Sequence, residues 1–355
     1  MGICGMEWNN VTITGRHAII KNTLWLAMSG AGISFEFGPG PCKITLTGDD
    51  TATDAQRTMH RASYAIYVDD EQFTRGIMNA REVCIEIPGR ERGMTKARIV
   101  KLSECTSSLM GISGVYAECI RPVEINGLKI EVIGDSITCG YGVEGNETQA
   151  FTTATENAEK SYSMLIGGML NADVRTDCFS GFGIVSGYTD NGVINDGCLV
   201  PLYYEKTGMN GFVLPDGRRV QDIPWNFEQF QPEIIVLNLG TNDLSWCRDD
   251  EEKKKRFRGL YTDFLKMIRK NNRDAVILCV LGIMGTGLNQ SMERAVADYK
   301  KENGDCRVYT LLTDEQDGKA NGWGTDFHPS EITQRQLASA VAEKIRSILK
   351  EKNNM

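Results

Sequence analysis

The sequence predicts two folds in tandem: an N-terminal antiparallel β-sandwich of the jelly-roll kind over residues 1–125, then an α/β domain with a parallel sheet over residues 126–355. Three observations carry this. Short β-branched and aromatic runs recur between turn signals through the first 120 residues, with no helix-period stretch of useful length. From Lys129 onward, apolar strands alternate with helical patterns, as in a parallel sheet covered on both faces. A length of 355 residues also exceeds one typical domain of about 100–200 residues.

In the first part, strands are expected at 11–14, 33–37, 43–47, 64–68, 83–87 and 97–102. Ile33-Ser34-Phe35-Glu36-Phe37 and Ile44-Thr45-Leu46-Thr47 alternate as half-buried strands do. Gly38–Pro41, Gly48–Asp50 and Pro88-Gly89 supply the turns. In the second part, Lys129–Ile133 is a strand running into Gly134. A helix is expected over 159–170, then strands at 172–178 and 233–239. A charged helix over 249–270, a strand at 275–281, a helix over 291–302 and a strand at 307–311 follow. The last helix should span 330–350, with Ser330 as N-cap and Glu331 in the first turn. Residues 188–224 are Gly-, Asn- and Asp-rich and too long for an ordinary connection, which suggests a functional loop or an insertion beside the site.

Composition excludes several function classes. With 39 Lys+Arg against 47 Asp+Glu, the net charge is -8, which argues against nucleic acid or an anionic membrane as partner. No apolar run approaches the roughly 18–20 residues of a membrane span, and the first residues do not read as a secretory signal. The eleven cysteines are odd in number and never form a CxxC pair, a poor pattern for zinc or a disulfide framework. A cytoplasmic protein with reduced cysteines is therefore expected, with no metal and no organic cofactor. The Lys253–Arg256 run behind Asp249–Glu252 reads as a solvated helix face.

Three segments carry chemistry, each ambiguous alone. Gly134-Asp135-Ser136-Ile137 ends the first α/β strand, where a Ser in a tight turn can present its hydroxyl and its N–H on the binding edge of the sheet. Gly240-Thr241-Asn242-Asp243 follows the strand at 233–239, either as a plain turn or with the Asn242 amide aimed at a developing oxyanion. Asp326-Phe327-His328-Pro329 precedes the last helix, and His328 could take a proton from Ser136. Of three histidines, His17 and His60 fall in the sandwich, where ordinary structural roles suffice. Together the segments bring nucleophile, oxyanion donor and base from separate loops to one edge, as acyl transfer requires.

This set resembles the SGNH/GDSL hydrolase superfamily, whose domain is flavodoxin-like. The resemblance reads Ser180-Gly181-Phe182-Gly183 as the glycine block, with the Gly181 N–H in the oxyanion hole and Gly183 the fallback. The sandwich segment Trp25–Ile33 and the extended block Gly134–Gly142 look most like carbohydrate esterase family 2, the acetylxylan esterase type. That resemblance implies a serine esterase acting through an acetyl-enzyme on acetylated plant-cell-wall oligo- or polysaccharides. It implies Ser136 as nucleophile, His328 as base, and Ser136 N–H, Gly181 N–H and Asn242 as the oxyanion hole. One departure stands out: the superfamily's Asp three residues before the His is Thr325 here, and Asp326 lies two before. Asp326 is then the candidate to orient His328, by carboxylate or by backbone carbonyl, with Asp314 and Asp317 remote alternatives. Trp323 is a candidate sugar-stacking residue, its alternative being a core Trp under the last helix. Tyr188 is a lesser candidate, followed by Tyr203 and Tyr204. Two other readings compete: a GDSL lipase or thioesterase for longer acyl chains, and a carbohydrate-binding protein with a vestigial hydrolase domain.

Overall fold

The computed structural model describes residues 4–5 and 7–353. The N-terminal part is a sandwich of two six-stranded antiparallel sheets. One sheet runs His17–Ile20, Thr23–Leu26, Met110–Ala117, Cys42–Gly48, Glu82–Ile87, with Cys4–Gly5 on Met110–Ala117. The other runs Ile120–Pro122, Gly32–Phe37, Thr95–Lys101, Ser63–Val68, Glu71–Ile77, with Thr12–Thr14 on Gly32–Phe37. Ile33, Phe35, Ile44, Leu46, Ile99 and Ile112 are wholly buried where the sheets face each other, as their spacing of two requires. Strands such as Glu71–Ile77, a polar run without clean alternation, are invisible to pattern reading.

The second part is a five-stranded parallel sheet in the spatial order Ala172–Cys178, Leu128–Gly134, Ile234–Asn238, Val276–Leu281, Val308–Leu312. This is the flavodoxin-like order 2-1-3-4-5, in which ligands bind at the carboxyl edge where the winding reverses, beside the first strand. Register makes the edge specific. Gly134 is level with Cys178 on one side and with Asn238 on the other, so the segments after all three strands leave the sheet together. Those segments hold Ser136, Ser180-Gly181 and Asn242.

Alternate residues of the sheet serve two cores. Ile130, Val132, Val236 and Leu278 pack under the helices Tyr162–Leu170 and Glu331–Asn353. Ile133, Ile235, Leu237 and Ile277 face the helices Glu251–Asn271 and Asn289–Asn303, in a core continuous with the interior of the sandwich. A buried ion cluster stitches the same interface: Arg16 of the sandwich lies 3.2 Å from both Glu131 and Asp177 of the parallel sheet. Ser330 caps the last helix as expected, its Oγ accepting from the Thr333 N–H at 3.3 Å.

The segment over 188–224 differs from a simple loop beside the site. It contains a short helix, Val200–Tyr203, and spends most of its length binding the two parts together. Arg16 donates to the Lys206 carbonyl at 2.8 Å, Asn210 Nδ2 donates to the Cys105 carbonyl at 2.6 Å, and Phe212 packs 5.3 Å from Trp25. Tyr204 is wholly buried under the Arg16 guanidinium and Tyr203 packs on Phe179 and Phe182, so neither is a substrate contact. Among the described residues, no helix is long and apolar enough to cross a membrane.

Candidate active site

Ser136 opens a one-turn helix, Ser136–Cys139, set by its neighbours. The Asp135 carboxylate caps it by accepting the Ile137 N–H at 3.0 Å, and Gly140 ends it at φ 79°. Gly134 is obligatory: a Cβ there would lie 2.0 Å from Thr138 Oγ1. Burial lifts the Asp135 carboxyl to about 7, despite that N–H bond. Cys139, three residues after the serine, is wholly buried with its thiol raised well above the ordinary range, so it is no rival nucleophile.

His328 Nε2 lies 2.9 Å from Ser136 Oγ. Its Nδ1 lies 3.0 Å from the Thr325 carbonyl. A carbonyl only accepts, so Nδ1 carries the proton and Nε2 is left as the acceptor facing the serine. Burial lowers the pKa of His328 below its ordinary 6.5, against the opposing pull of the Thr325 carbonyl. The Asp326 side chain takes no part in holding the ring, and the carbonyl that bonds it is Thr325's rather than Asp326's, which corrects the expectation of Asp326 in that role by carboxylate or carbonyl. Asp326 and Phe327 both adopt left-handed backbone, φ 52° and 59°, which swings the Asp326 side chain outward and leaves the Thr325 carbonyl under the imidazole. The carboxylate instead accepts from the Tyr141 hydroxyl at 2.7 Å. Tyr141 stacks on Phe151 at 4.0 Å and lies 4.3 Å from the His328 ring. Tyr141 is thus a site residue that sequence reading passed over, although it stands inside the Gly140-Tyr141-Gly142 run. Asp314 and Asp317 are not partners of His328; Asp317 caps the short helix Gly318–Asn321.

Three candidate oxyanion donors belong to residues that line the same cleft as the serine hydroxyl. Among the described residues, neither the Ser136 nor the Gly181 N–H has a hydrogen-bond acceptor. Gly181 has φ +80° and open space where a Cβ would sit. Gly183, the fallback, is excluded as a donor because its N–H is given to the Cys198 carbonyl at 3.0 Å. It is a packing glycine, since a Cβ would lie 2.0 Å from the Ser186 carbonyl oxygen. Asn242 sits on the first turn of a helix, Thr241–Cys247, rather than in a plain turn. Its Nδ2 donates to the Phe182 carbonyl at 2.8 Å and, more weakly, to Asp135 Oδ2 at 3.3 Å. The next residue, Asp243, gathers the backbone N–H groups of Ile184, Val185 and Ser186, which fixes the glycine block against this helix.

Ser136, Gly181, Asn242 and His328 line a cleft of about 780 Å³, with Tyr141, Tyr188, Leu244, Met284, Asp326 and Phe327 around them. Tyr188 is exposed at its rim and donates to Asp190 at 2.5 Å. Trp323 does not line the cleft. It is pressed over Gly318, where a Cβ would lie 1.7 Å from the indole, and stands edge-on behind Phe327 at 5.8 Å. The exposed aromatic face in its place is Phe327, which two consecutive left-handed residues push outward and which no local sequence signal marks.

Residues 130–341 match the GDSL-like lipase/acylhydrolase family. A cellulase/esterase of Acetivibrio thermocellus is 34% identical over 67% of this chain, which spans 27% of that relative's length. An acetylxylan esterase/glucomannan deacetylase of Cellvibrio japonicus is 28% identical, over 77% of each chain. Among solved structures, a family two carbohydrate esterase from Clostridium thermocellum in complex with cellohexaose superposes with a TM-score of 0.81. It has 27% identity and covers 96% of this chain and 99% of that one. An acetyl xylan esterase from the rumen bacterium Butyrivibrio proteoclasticus shares the fold, at a TM-score of 0.84 and 20% identity, over 98% of each chain. The parallel sheet, the nucleophile turn, the glycine block and the late histidine converge with these likenesses: the chain belongs to the GDSL-like lipase/acylhydrolase family, in the two-domain form seen in family two carbohydrate esterases.

Proposed function

We propose that this protein is a serine esterase that removes O-acetyl groups from plant-cell-wall-derived oligo- or polysaccharides, of the acetylxylan esterase type, through an acetyl-enzyme. The observation that carries it is the Ser136 Oγ to His328 Nε2 hydrogen bond of 2.9 Å, in the tautomer that makes His328 a base. Ser136 Oγ attacks the acetyl carbonyl as His328 Nε2 takes its proton. The carbonyl oxygen becomes an oxyanion between the free N–H groups of Ser136 and Gly181. Asn242 joins them by exchanging its long contact to Asp135 for the oxyanion. His328 then returns the proton to the departing sugar oxygen, leaving acetyl on Ser136. Water, deprotonated by His328, releases acetate and restores the serine. The Thr325 carbonyl stabilises the imidazolium less than a carboxylate would, and the base is a dyad rather than a triad.

The names of the relatives support a sugar ester as substrate, and the cleft offers Phe327 and Tyr188 as exposed aromatic surfaces for a sugar ring. Among the described residues ten cysteines are free thiols, in keeping with cytoplasmic action on an imported oligosaccharide; cell fractionation tests that part of the proposal. The deciding experiment is a panel of acetylated xylo-, manno- and gluco-oligosaccharides read for acetate release. Wild type should release acetate from at least one, and Ser136→Ala should release none while melting as wild type does. Turnover by the variant would sink the assignment. A rate that rises from acetyl to octanoyl esters would replace it with a lipase-type reading.

A further inference from the structure

Behind the nucleophile, at the junction of the two parts, lies a buried polar cluster that the mechanism above does not use. Glu104, 3% exposed, comes from the sandwich just beyond the strand Thr95–Lys101 and crosses into the hydrolase part. Its Oε2 accepts the Ser180 N–H at 2.8 Å. Its own N–H donates to Glu156 Oε1 at 3.0 Å, and its carbonyl accepts from Lys101 Nζ at 3.0 Å. Lys101 and Glu156 are both wholly buried, and burial lowers the pKa of Lys101 against the opposing pull of the acidic groups around it. Cys139 Sγ, from the helix that Ser136 opens, lies 3.9 Å from the same Glu104 Oε2. The acceptor of the Ser180 N–H is therefore fixed from several sides.

We propose that Glu104 is a positioning residue for the oxyanion hole, supplied to the active site by the sandwich domain. The reasoning rests on the esterase reading above and on local geometry. Ser180 N–H and Gly181 N–H belong to consecutive peptide groups. Both Ser180 and Gly181 line the cleft, and Gly181, at φ +80° with no Cβ, has its carbonyl held by the Tyr188 N–H at 2.8 Å while its own N–H has no acceptor among the described residues. The peptide after Gly181 is thus fixed, and the aim of the Gly181 N–H also depends on the hold on the peptide before it. The Ser180 N–H to Glu104 bond holds it, in charge-assisted form. Lys101 itself donates to the carbonyls of Ser103 and Glu104, which fixes the backbone from which Glu104 reaches.

This assigns Glu104 a role in the transition state rather than in binding the ground state, and the test separates the two. Glu104→Gln keeps the length and one acceptor oxygen. Glu104→Asp keeps the carboxylate but withdraws the acceptor by one methylene. Each is assayed in the full chain on a small acetyl ester, with active sites counted by phosphonylation of Ser136 and folding checked by thermal melting. The expected result is a kcat for Glu104→Gln within threefold of wild type. For Glu104→Asp, kcat per active site should fall tenfold or more with KM within threefold, because an oxyanion donor is worth about 10²–10³ in kcat and a misaimed one part of that. Rescue by Gln is what a role in stability alone would not yield together with an unchanged KM. Equal losses in both variants, or a Glu104→Asp kcat within threefold of wild type, overturn the proposal. So does failure of both variants to fold, which assigns Glu104 to stability only. Failure of the esterase reading itself shows separately, as turnover by Ser136→Ala with Glu104 intact.

Discussion

Asp326→Asn decides whether the base is a dyad. In a Ser-His-Asp triad, the Asp-to-Asn change costs about 10⁴ in kcat, or about 5.4 kcal/mol, because the carboxamide holds the wrong tautomer. That mechanism is closed here. The Nδ1 partner is the Thr325 carbonyl, at 3.0 Å, and a backbone carbonyl survives the substitution. The Asp326 side chain is exposed, and its Tyr141 partner at 2.7 Å can donate equally well to a carboxamide oxygen. What remains is the loss of one solvated charge near the imidazolium. For opposite charges about 6 Å apart, an effective dielectric of roughly 40–80 makes such a loss about 0.7–1.4 kcal/mol, a three- to tenfold drop in kcat/KM. Asn also tolerates the left-handed backbone at this position, so the turn survives. The assay is kcat/KM on a chromogenic acetyl ester at pH 8, beside a thermal melt. A loss above about 10³ with an unchanged melt would refute the geometry, because it would require the carboxylate to bond the ring.

Other outcomes follow from the same structure. Because burial lowers the pKa of His328, the acid limb of kcat/KM should have its midpoint below 6.5. By the same sign, the stability tied to the neutral imidazole is present above 6.5 and is lost as pH falls through the lower folded value. Tyr141→Ala, which uncovers the ring, should move that midpoint up toward 6.5; an unmoved midpoint would count against Tyr141 as the shield. Arg16→Met strands Glu131 and Asp177 in the interior and should cost about 3–5 kcal/mol by denaturant titration at pH 8. Asp177 already sits at about 7 beside Arg16, and removing the cation pushes it higher. The variant therefore keeps losing ground as pH rises past 7, where wild type levels off. A gap between the two that does not change from pH 7 to 9 would contradict this. Gly181→Ala should cost about 1–2 kcal/mol of stability through its φ of +80° alone, with its N–H still in place. Gly183→Ala should be worse, as its Cβ would meet the Ser186 carbonyl; equal melting of the two variants would be inconsistent with the structure.

The parallel domain was readable because its strands are buried on both faces and announce themselves as apolar runs, and because the nucleophile, amide and base each follow such a strand or precede a helix. What escaped has a common cause: groups that act through the backbone or through space. The Thr325 carbonyl carries no sequence mark, since any residue has one. Phe327 reaches the cleft only because Asp326 and Phe327 take left-handed conformations that neither residue type announces. Trp323 was the more visible aromatic, and the absent Cβ of Gly318 gave it a place to lie flat out of reach. Asn242 was legible as an oxyanion donor, but its segment Gly240–Asp243 is rich in turn formers and read as a turn, whereas Gly240 at φ 134° starts a helix there. Glu104 lies 32 residues before Ser136 in another sheet system, a separation that no local pattern bridges. The insertion over 188–224 was legible as an anomaly of length, but its destination between the two parts was not.

The core that runs unbroken from the sandwich interior to one face of the parallel sheet bears on how such a protein can be moved or divided. Cut near residue 125, the catalytic part would lose the sandwich side of that shared core and leave Glu131 and Asp177 without Arg16. The portable unit is accordingly the pair. A fusion that carries this activity to a new scaffold must carry both halves, and a library that shuffles one half against a foreign partner must match the seam before it can sample the cleft.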